Sequence, residues 1–183
     1  MKSLDLNIFH FLNSFIHIST VIDTLIIFFS QYYVFVVGLI FLITIYKLPK
    51  SKKERIKILL FTVGITGIVR FGIMELIHLF DQRLRPFIEL SAPHLFVVHA
   101  YSFPSGHTTF VFALATVAWY YHQKTSYFIF VSGLIIGIAR IMAGVHYPSD
   151  ILGGIIVGVV SAYVLVLIAQ KLFPQHTHIK RQG

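Results

Sequence analysis

The 183-residue chain contains no cysteine. That excludes a disulfide framework and a thiolate-ligated metal site. Charge is also scarce. Asp, Glu, Lys and Arg make up 12% of the residues, about half the share in an ordinary soluble domain. Acidic residues are scarcest, 7 against 15 Lys and Arg, for a formal net charge of +8. So little charge cannot coat a soluble globule. Disorder is excluded by the opposite argument, because 56% of the residues are hydrophobic and the mean hydropathy is +0.80, whereas disordered chains are poor in apolar residues. No internal repeat and no low-complexity tract interrupts the chain.

What is present is a series of long apolar runs. A spanning helix needs about 20 apolar residues. Five runs approach that length, at 21–46, 56–80, 108–121, 127–142 and 151–173. The third and fourth are the shortest. The expected fold class is all-α: a polytopic membrane helix bundle of about five spanning helices, forming one membrane-embedded domain over 1–183. The beginning does not read as a cleavable signal peptide, since Asp5 comes early and no small-residue cleavage site follows. Residues 3–18 instead predict an amphipathic helix, interfacial or partly inserted. At about 100° per residue, Ser3, Asn7, His10, Asn13, Ser14 and His17 share one arc, and Leu4, Ile8, Phe11, Phe15 and Ile18 oppose it. Residues 174–183 read as a polar, basic tail.

The loops alternate in charge. Residues 47–57 carry Lys47, Lys50, Lys52, Lys53, Arg55 and Lys57 against Glu54 alone. Lys124 marks the 122–126 turn, and Lys171, Lys180 and Arg181 mark the end. With five spans these three segments share one side, which the positive-inside rule makes cytoplasmic. The same rule accounts for the net charge. Nucleic acid is not an expected partner, since no basic groove or stacking platform accompanies the cations.

The unusual polar residues gather on the other side. The second run leads into Arg83-Leu84-Arg85-Pro86-Phe87, and the third begins after Phe103-Pro104-Ser105-Gly106-His107. The fourth ends near Ala139-Arg140, and the fifth follows His146-Tyr147-Pro148-Ser149-Asp150. Each has an ordinary reading when taken alone. Arg85 would serve as an interfacial anchor, Ser105 as a helix cap, and His146 and Asp150 as an interfacial imidazole and a cap. Arg140 is harder to explain this way, because an arginine near mid-membrane costs about 2.5–3.5 kcal/mol even on a lenient scale. Two guanidiniums from different helices suit a multi-oxygen anion such as phosphate. Gly106 at a helix start leaves backbone N–H groups open to an anion. His107 there can give or take a proton. Asp150, four residues after His146, can fix the imidazole tautomer.

As an ordered set, RP, PSGH and Arg-x5-His-x3-Asp resemble the type 2 phosphatidic acid phosphatase superfamily, whose pattern is K-x6-RP, PSGH and SR-x5-H-x3-D. The resemblance covers roughly residues 56–172. Two positions depart from it. His78 stands at the first-motif Lys and is the candidate substitute for it, and Ala139 stands at the third-motif Ser. The bacterial undecaprenyl-diphosphatase branch is similarly relaxed at the Lys and shares the Arg85-Pro86-Phe87 string, so the chain resembles that branch most. Within the second run, Arg70, Glu75 and His78 read as a polar pairing inside the bundle, with a substrate or proton route as the sharper alternative. His94 and His99 read as loop or lid residues placed to contact a head group. No His pair has carboxylates at zinc-binding spacing.

The resemblance implies a metal-independent, cofactor-free phosphatase. His146 would be the nucleophile, Asp150 its orienting carboxylate and His107 the proton donor. Arg85, Arg140, Ser105 and Gly106 would bind the substrate phosphate. A site at interface depth among helix ends favours a lipid phosphate in the cell membrane, with the site extracytoplasmic. Undecaprenyl diphosphate, giving undecaprenyl phosphate and phosphate, is the expected substrate. Phosphatidylglycerol phosphate and phosphatidic acid fit the same geometry. A non-enzymatic alternative is a lipid-phosphate binding or transport protein. The inverted repeats and broken midplane helices common in transporters are absent from the sequence pattern. The oligomeric state is left open.

Overall fold

The computed structural model describes residues 2–98 and 101–172. The expectations for His99 and for the 174–183 tail lie outside the described residues. Among the described residues the regular structure is entirely helical. Helix α1 is Lys2–Asn13, α2 Thr20–Lys47, α3 Lys52–Phe80, α4 Gly106–Trp119, α5 Gln123–Met142 and α6 Pro148–Leu172. A single helical turn, Pro86–Glu89, lies in the connection after α3.

Local sequence explains the helix starts. Ser19 caps α2 by accepting the Ile22 N–H. Ser51 and Glu54 close a capping box at α3: Ser51 Oγ accepts the Glu54 N–H, and the Ser51 N–H donates to Glu54 Oε2 at 2.8 Å. His122 caps α5 through Nδ1, which accepts the Thr125 N–H at 3.2 Å. Pro148 opens α6, where its missing N–H costs nothing.

Helices α2, α3, α5 and α6 are long and apolar enough to cross a membrane. The third expected span is the exception. Helix α4 has 14 residues, about 21 Å of rise, less than the roughly 30 Å hydrocarbon thickness. It is the centre of the bundle, with Thr108, Thr109 and every residue from 111 to 118 buried. The outer helices present Leu25, Phe35, Leu39, Leu60, Phe71 and Leu152 outward, as lipid contact requires.

Small residues let α6 lie against α4. A Cβ at Gly158 would stand 2.5 Å from the Thr109 carbonyl oxygen, and one at Gly154 would stand 3.0 Å from the Ser105 carbonyl oxygen. Side chains at these two positions would push the helices apart. The close approach brings the start of α4 beside the start of α6, where the Ser105 N–H donates to the Asp150 carbonyl at 3.1 Å.

Two π-helical turns interrupt the outer spans, Phe28–Tyr32 in α2 and Ile68–Ile73 in α3. Such turns recur at functional sites because they re-aim a carbonyl or a side chain. The first contains Ser30 and the second Arg70.

Helix α1 differs in part from its expected pattern. His10 and His17 are exposed and Leu4, Phe11 and Ile18 face outward, but the helix ends at Asn13 and His17 has a φ of 62°. Asn13, assigned to the wet arc, is buried. Its Nδ2 donates to the Met142 carbonyl at 2.9 Å and the Pro93 carbonyl at 3.0 Å. The amide satisfies a carbonyl left open at the end of α5 and another in the loop before α4, so it staples α1 onto the bundle. Phe9, fully buried, packs in the same seam with Tyr147 and Ile151.

Candidate active site

The beginnings of α4 and α6, the end of α5 and the loop after α3 converge on His146. Its ring is 1% exposed. Arg85 Nη1 lies 3.1 Å and Arg140 Nη2 3.3 Å from His146 Nε2. A guanidinium has no acceptor. Both arginines therefore donate, and Nε2 must carry a lone pair. The proton then sits on Nδ1, which faces Asp150 Oδ2 at 3.4 Å. That is the tautomer a nucleophilic Nε2 needs. Burial pushes the His146 pKa well below the ordinary histidine value, and the nearby Arg140 and Arg85 charges push it further. The ring is neutral at pH 7.

Each arginine is fixed from behind. Arg85 donates to the Val145 carbonyl at 2.8 Å and to the Tyr101 carbonyl at 3.0 Å. Burial lowers its pKa to about 10, which leaves it cationic at pH 7. Arg140 donates to the Ser30 carbonyl at 3.1 Å, and its buried Nε has no protein partner. Ser30 belongs to the π-turn of α2, where the altered register turns its carbonyl to this task. No motif in the sequence marks Ser30.

Asp150 is fully buried and well served. Its Oδ2 accepts from Ser102 Oγ at 2.5 Å and from the Tyr147 N–H at 2.8 Å. Its Oδ1 accepts from Arg83 Nη1 at 2.9 Å. Arg83 also reaches Ser149 Oγ at 2.6 Å and Asp5 Oδ2 at 2.9 Å, and its guanidinium stacks 3.8 Å over the Tyr147 ring. Burial alone would lower the Arg83 pKa, but Asp150 and Asp5 more than offset it and hold it above its ordinary value. Asp5 in turn accepts from the Ser149 N–H and hydroxyl. Sequence reasoning missed Arg83, Ser102 and Asp5. Arg83 stands two residues before Arg85, but nothing in the string distinguishes it. Asp5 comes from a distant segment with no motif.

The remaining expected site residues take these places. Ser105 is fully buried, and Thr108 Oγ1 donates to its Oγ at 3.1 Å, which leaves the Ser105 hydroxyl proton free to donate elsewhere. His107 lies in the first turn of α4, where burial and then the Arg140, Arg70 and Arg85 charges disfavour its protonated form. Gly106 stands against Arg70: a Cβ there would meet Arg70 Nε at 3.1 Å. His78 is buried, its Nδ1 3.4 Å from Glu75 Oε2 and its ring edge-on to Tyr101. Glu75 Oε1 also accepts from Arg70 Nη1 at 3.0 Å, so the polar pairing expected within α3 is present. His94 lies in the loop between α3 and α4, against Phe87.

The PAP2 superfamily model matches residues 55–174. The chain belongs to the PAP2 superfamily. Similarity to the undecaprenyl-diphosphatase BcrC of Bacillus subtilis (strain 168) extends over 174 residues at 30% identity, covering 93% of this chain and 87% of that protein. Phosphatidylglycerophosphatase B of the same organism is 28% identical over 123 residues, 60% of this chain and 59% of its own. Among solved structures, the chain superimposes on Aquifex aeolicus LpxE with a TM-score of 0.62 at 28% identity, covering 88% of this chain and 93% of that one. The PAP2 assignment makes this multi-pass membrane protein a phosphatase. It also accounts for the convergence of three separated segments on one imidazole.

Proposed function

We propose that this PAP2 phosphatase hydrolyses undecaprenyl diphosphate to undecaprenyl phosphate and phosphate through a phosphohistidine on His146. The observation that carries the proposal is His146 Nε2 held between two guanidiniums, with Nδ1 against a buried carboxylate. A phosphate entering between Arg85 and Arg140 draws their N–H groups onto its oxygens and frees the Nε2 lone pair. Nε2 then forms a bond to the terminal phosphorus while the bond from that phosphorus to the bridging oxygen breaks. His107, protonated as the substrate brings negative charge, gives the bridging oxygen its proton. Asp150 stabilises the positive ring. In the second step His107 takes a proton from water, which attacks phosphorus, breaks the N–P bond and releases phosphate. Arg85, Arg140, the Ser105 hydroxyl and the Gly106 N–H hold the equatorial oxygens throughout.

The substrate is inferred from the similarity to BcrC and from the placement of the site among helix ends, where a lipid can offer its head group while its tail stays in the bilayer. The similarity to phosphatidylglycerophosphatase B supports phosphatidylglycerol phosphate as the second reading. The test is phosphate release by the full chain in detergent, with EDTA, from undecaprenyl diphosphate, phosphatidylglycerol phosphate and phosphatidic acid in parallel. EDTA-resistant release that is fastest from undecaprenyl diphosphate is expected. Faster release from either glycerolipid overturns the substrate assignment, and release abolished by EDTA overturns the metal-independent mechanism.

The site is assigned to the extracytoplasmic side, since the cationic 47–57 loop lies at the opposite ends of the spans. The chain has no cysteine, so single introduced thiols report cleanly. Ser91→Cys, in the exposed loop on the site side, is expected to react with a membrane-impermeant maleimide in intact cells. Lys53→Cys is expected to react only after permeabilisation. The reverse pattern would place the site in the cytoplasm.

A further inference from the structure

The two arginines that engage His146 both serve the side from which the nucleophile attacks. In the proposed mechanism the leaving group departs toward His107, and a third arginine stands beside the residue before it, Gly106. Arg70 comes from the π-turn of α3, and its guanidinium occupies the space beside Gly106, the residue before His107. A Cβ on Gly106 would be 3.1 Å from Nε, 3.2 Å from Cζ and 3.2 Å from Met74 Sδ. Its charge reaches both His107 and Arg140. Its one carboxylate partner, Glu75, is 52% exposed, a weak anchor for a cation in a spanning helix. Beyond Glu75, His78 completes the row. Its Nδ1 faces Glu75 Oε2, while its Nε2 is buried without a partner. Arg70 thus offers a cation beside Gly106 and His107, and His78 an unpartnered polar atom in the same stretch of α3.

We infer that Arg70, supported by Glu75 and His78, receives the phosphate that stays on the lipid, so that this site is built for lipid diphosphates rather than lipid monophosphates. The inference rests on the phosphatase reading above. When the bridging bond of a diphosphate breaks, the electron pair stays with the bridging oxygen, which takes the His107 proton, and the departing lipid monophosphate remains an anion that a cation on that side can hold. When a lipid monophosphate is cleaved, the leaving group is an alcohol once His107 has protonated it. Arg70 then has no anion to bind. Gly106 matters here because a side chain would displace the guanidinium from its place beside the proton donor.

The experiment measures isoprenyl diphosphate hydrolysis and its inhibition by two products, isoprenyl monophosphate and inorganic phosphate. Wild type, Arg70→Gln, Arg70→Lys and His146→Ala are compared as full chains in detergent. Arg70→Gln is expected to lower kcat/KM for the diphosphate by roughly tenfold or more, the weight of a charge-assisted hydrogen bond. It is expected to raise the inhibition constant of the isoprenyl monophosphate by a similar factor and to leave that of inorganic phosphate within about twofold. Arg70→Lys keeps the charge and is expected to recover much of the loss. Inhibition constants that rise together, or that both stay put, overturn the assignment of Arg70, since a general loss of structure affects both products alike. Failure of the phosphatase reading looks different: phosphate release would then be missing in wild type or unaltered in His146→Ala.

Discussion

Replacing His146 with alanine is expected to lower turnover by roughly 10⁴-fold or more, the loss typical when a covalent nucleophile is removed from an intact site. The expectation follows from what remains. On the proposed mechanism Arg85 and Arg140 remain to bind phosphate, so affinity for a phosphate analogue should hold or improve once the imidazole no longer competes for their N–H groups. Loss of kcat with retained binding is therefore the signature. A second measurement identifies the intermediate directly. Acid-labile, base-stable radiolabel from a terminally labelled diphosphate should remain on the wild-type chain after a rapid denaturing quench and be missing from the variant. Turnover within tenfold of wild type in His146→Ala would end the covalent assignment. The acid limb of kcat/KM is a further check. His146 is held neutral by burial and by two arginines, so its protonation cannot set a limb near the ordinary histidine value of about 6.5.

Arg83→Met is expected to be the most damaging change to stability. It leaves the Asp150 carboxylate fully buried with only the Ser102 hydroxyl and the Tyr147 N–H as donors. Breaking one side of a buried ion pair costs about 3–5 kcal/mol. The Arg83 side chain is 28% exposed, which argues for the lower end, about 3 kcal/mol. In a chain of this length that is a fall in Tm of roughly 6–12 °C. Asp5 and Ser149 lose their shared partner at the same time, loosening α1 from the start of α6. The carboxylate also loses the contact that aims it at His146, so kcat falls with stability. Thermal unfolding in detergent tests the first effect. Adding Asp150→Asn to Arg83→Met should restore much of the stability, because no unpaired charge is left, yet should not restore kcat. A single variant that melts within 2 °C of wild type, against the fall expected for so buried a partner, would show that the Asp150 charge is compensated elsewhere.

Composition and run length were enough to read a polytopic helical membrane protein, because the bilayer imposes the length of each span and makes charge along it costly. Order and spacing were enough to nominate Arg85, His107, Arg140, His146 and Asp150 as candidates, and Asp150 lies near His146 because a helix beginning at Pro148 puts it within one turn. The third run was read as a span, although its 14-residue helix is too short to cross alone. Its apolar sequence cannot distinguish contact with lipid from contact with neighbouring helices. Asn13 was misplaced for a related reason. A helical arc identifies polar residues, but not which of them meets an open carbonyl across the bundle.

The sequence by itself determined the class of fold, the family and the candidate residues around the proposed nucleophile, since these depend on local spacing and on the solvent. Only the tertiary structure decided which groups stand behind and beside them: Arg83 and Ser102 on Asp150, the Ser30 carbonyl on Arg140, and Arg70 against Gly106. These partners come from helices far apart in the chain. They meet because glycines let α6 close on α4 and because two π-turns rotate a carbonyl and a guanidinium out of the regular helical register. Helical periodicity in the sequence carries no trace of that rotation.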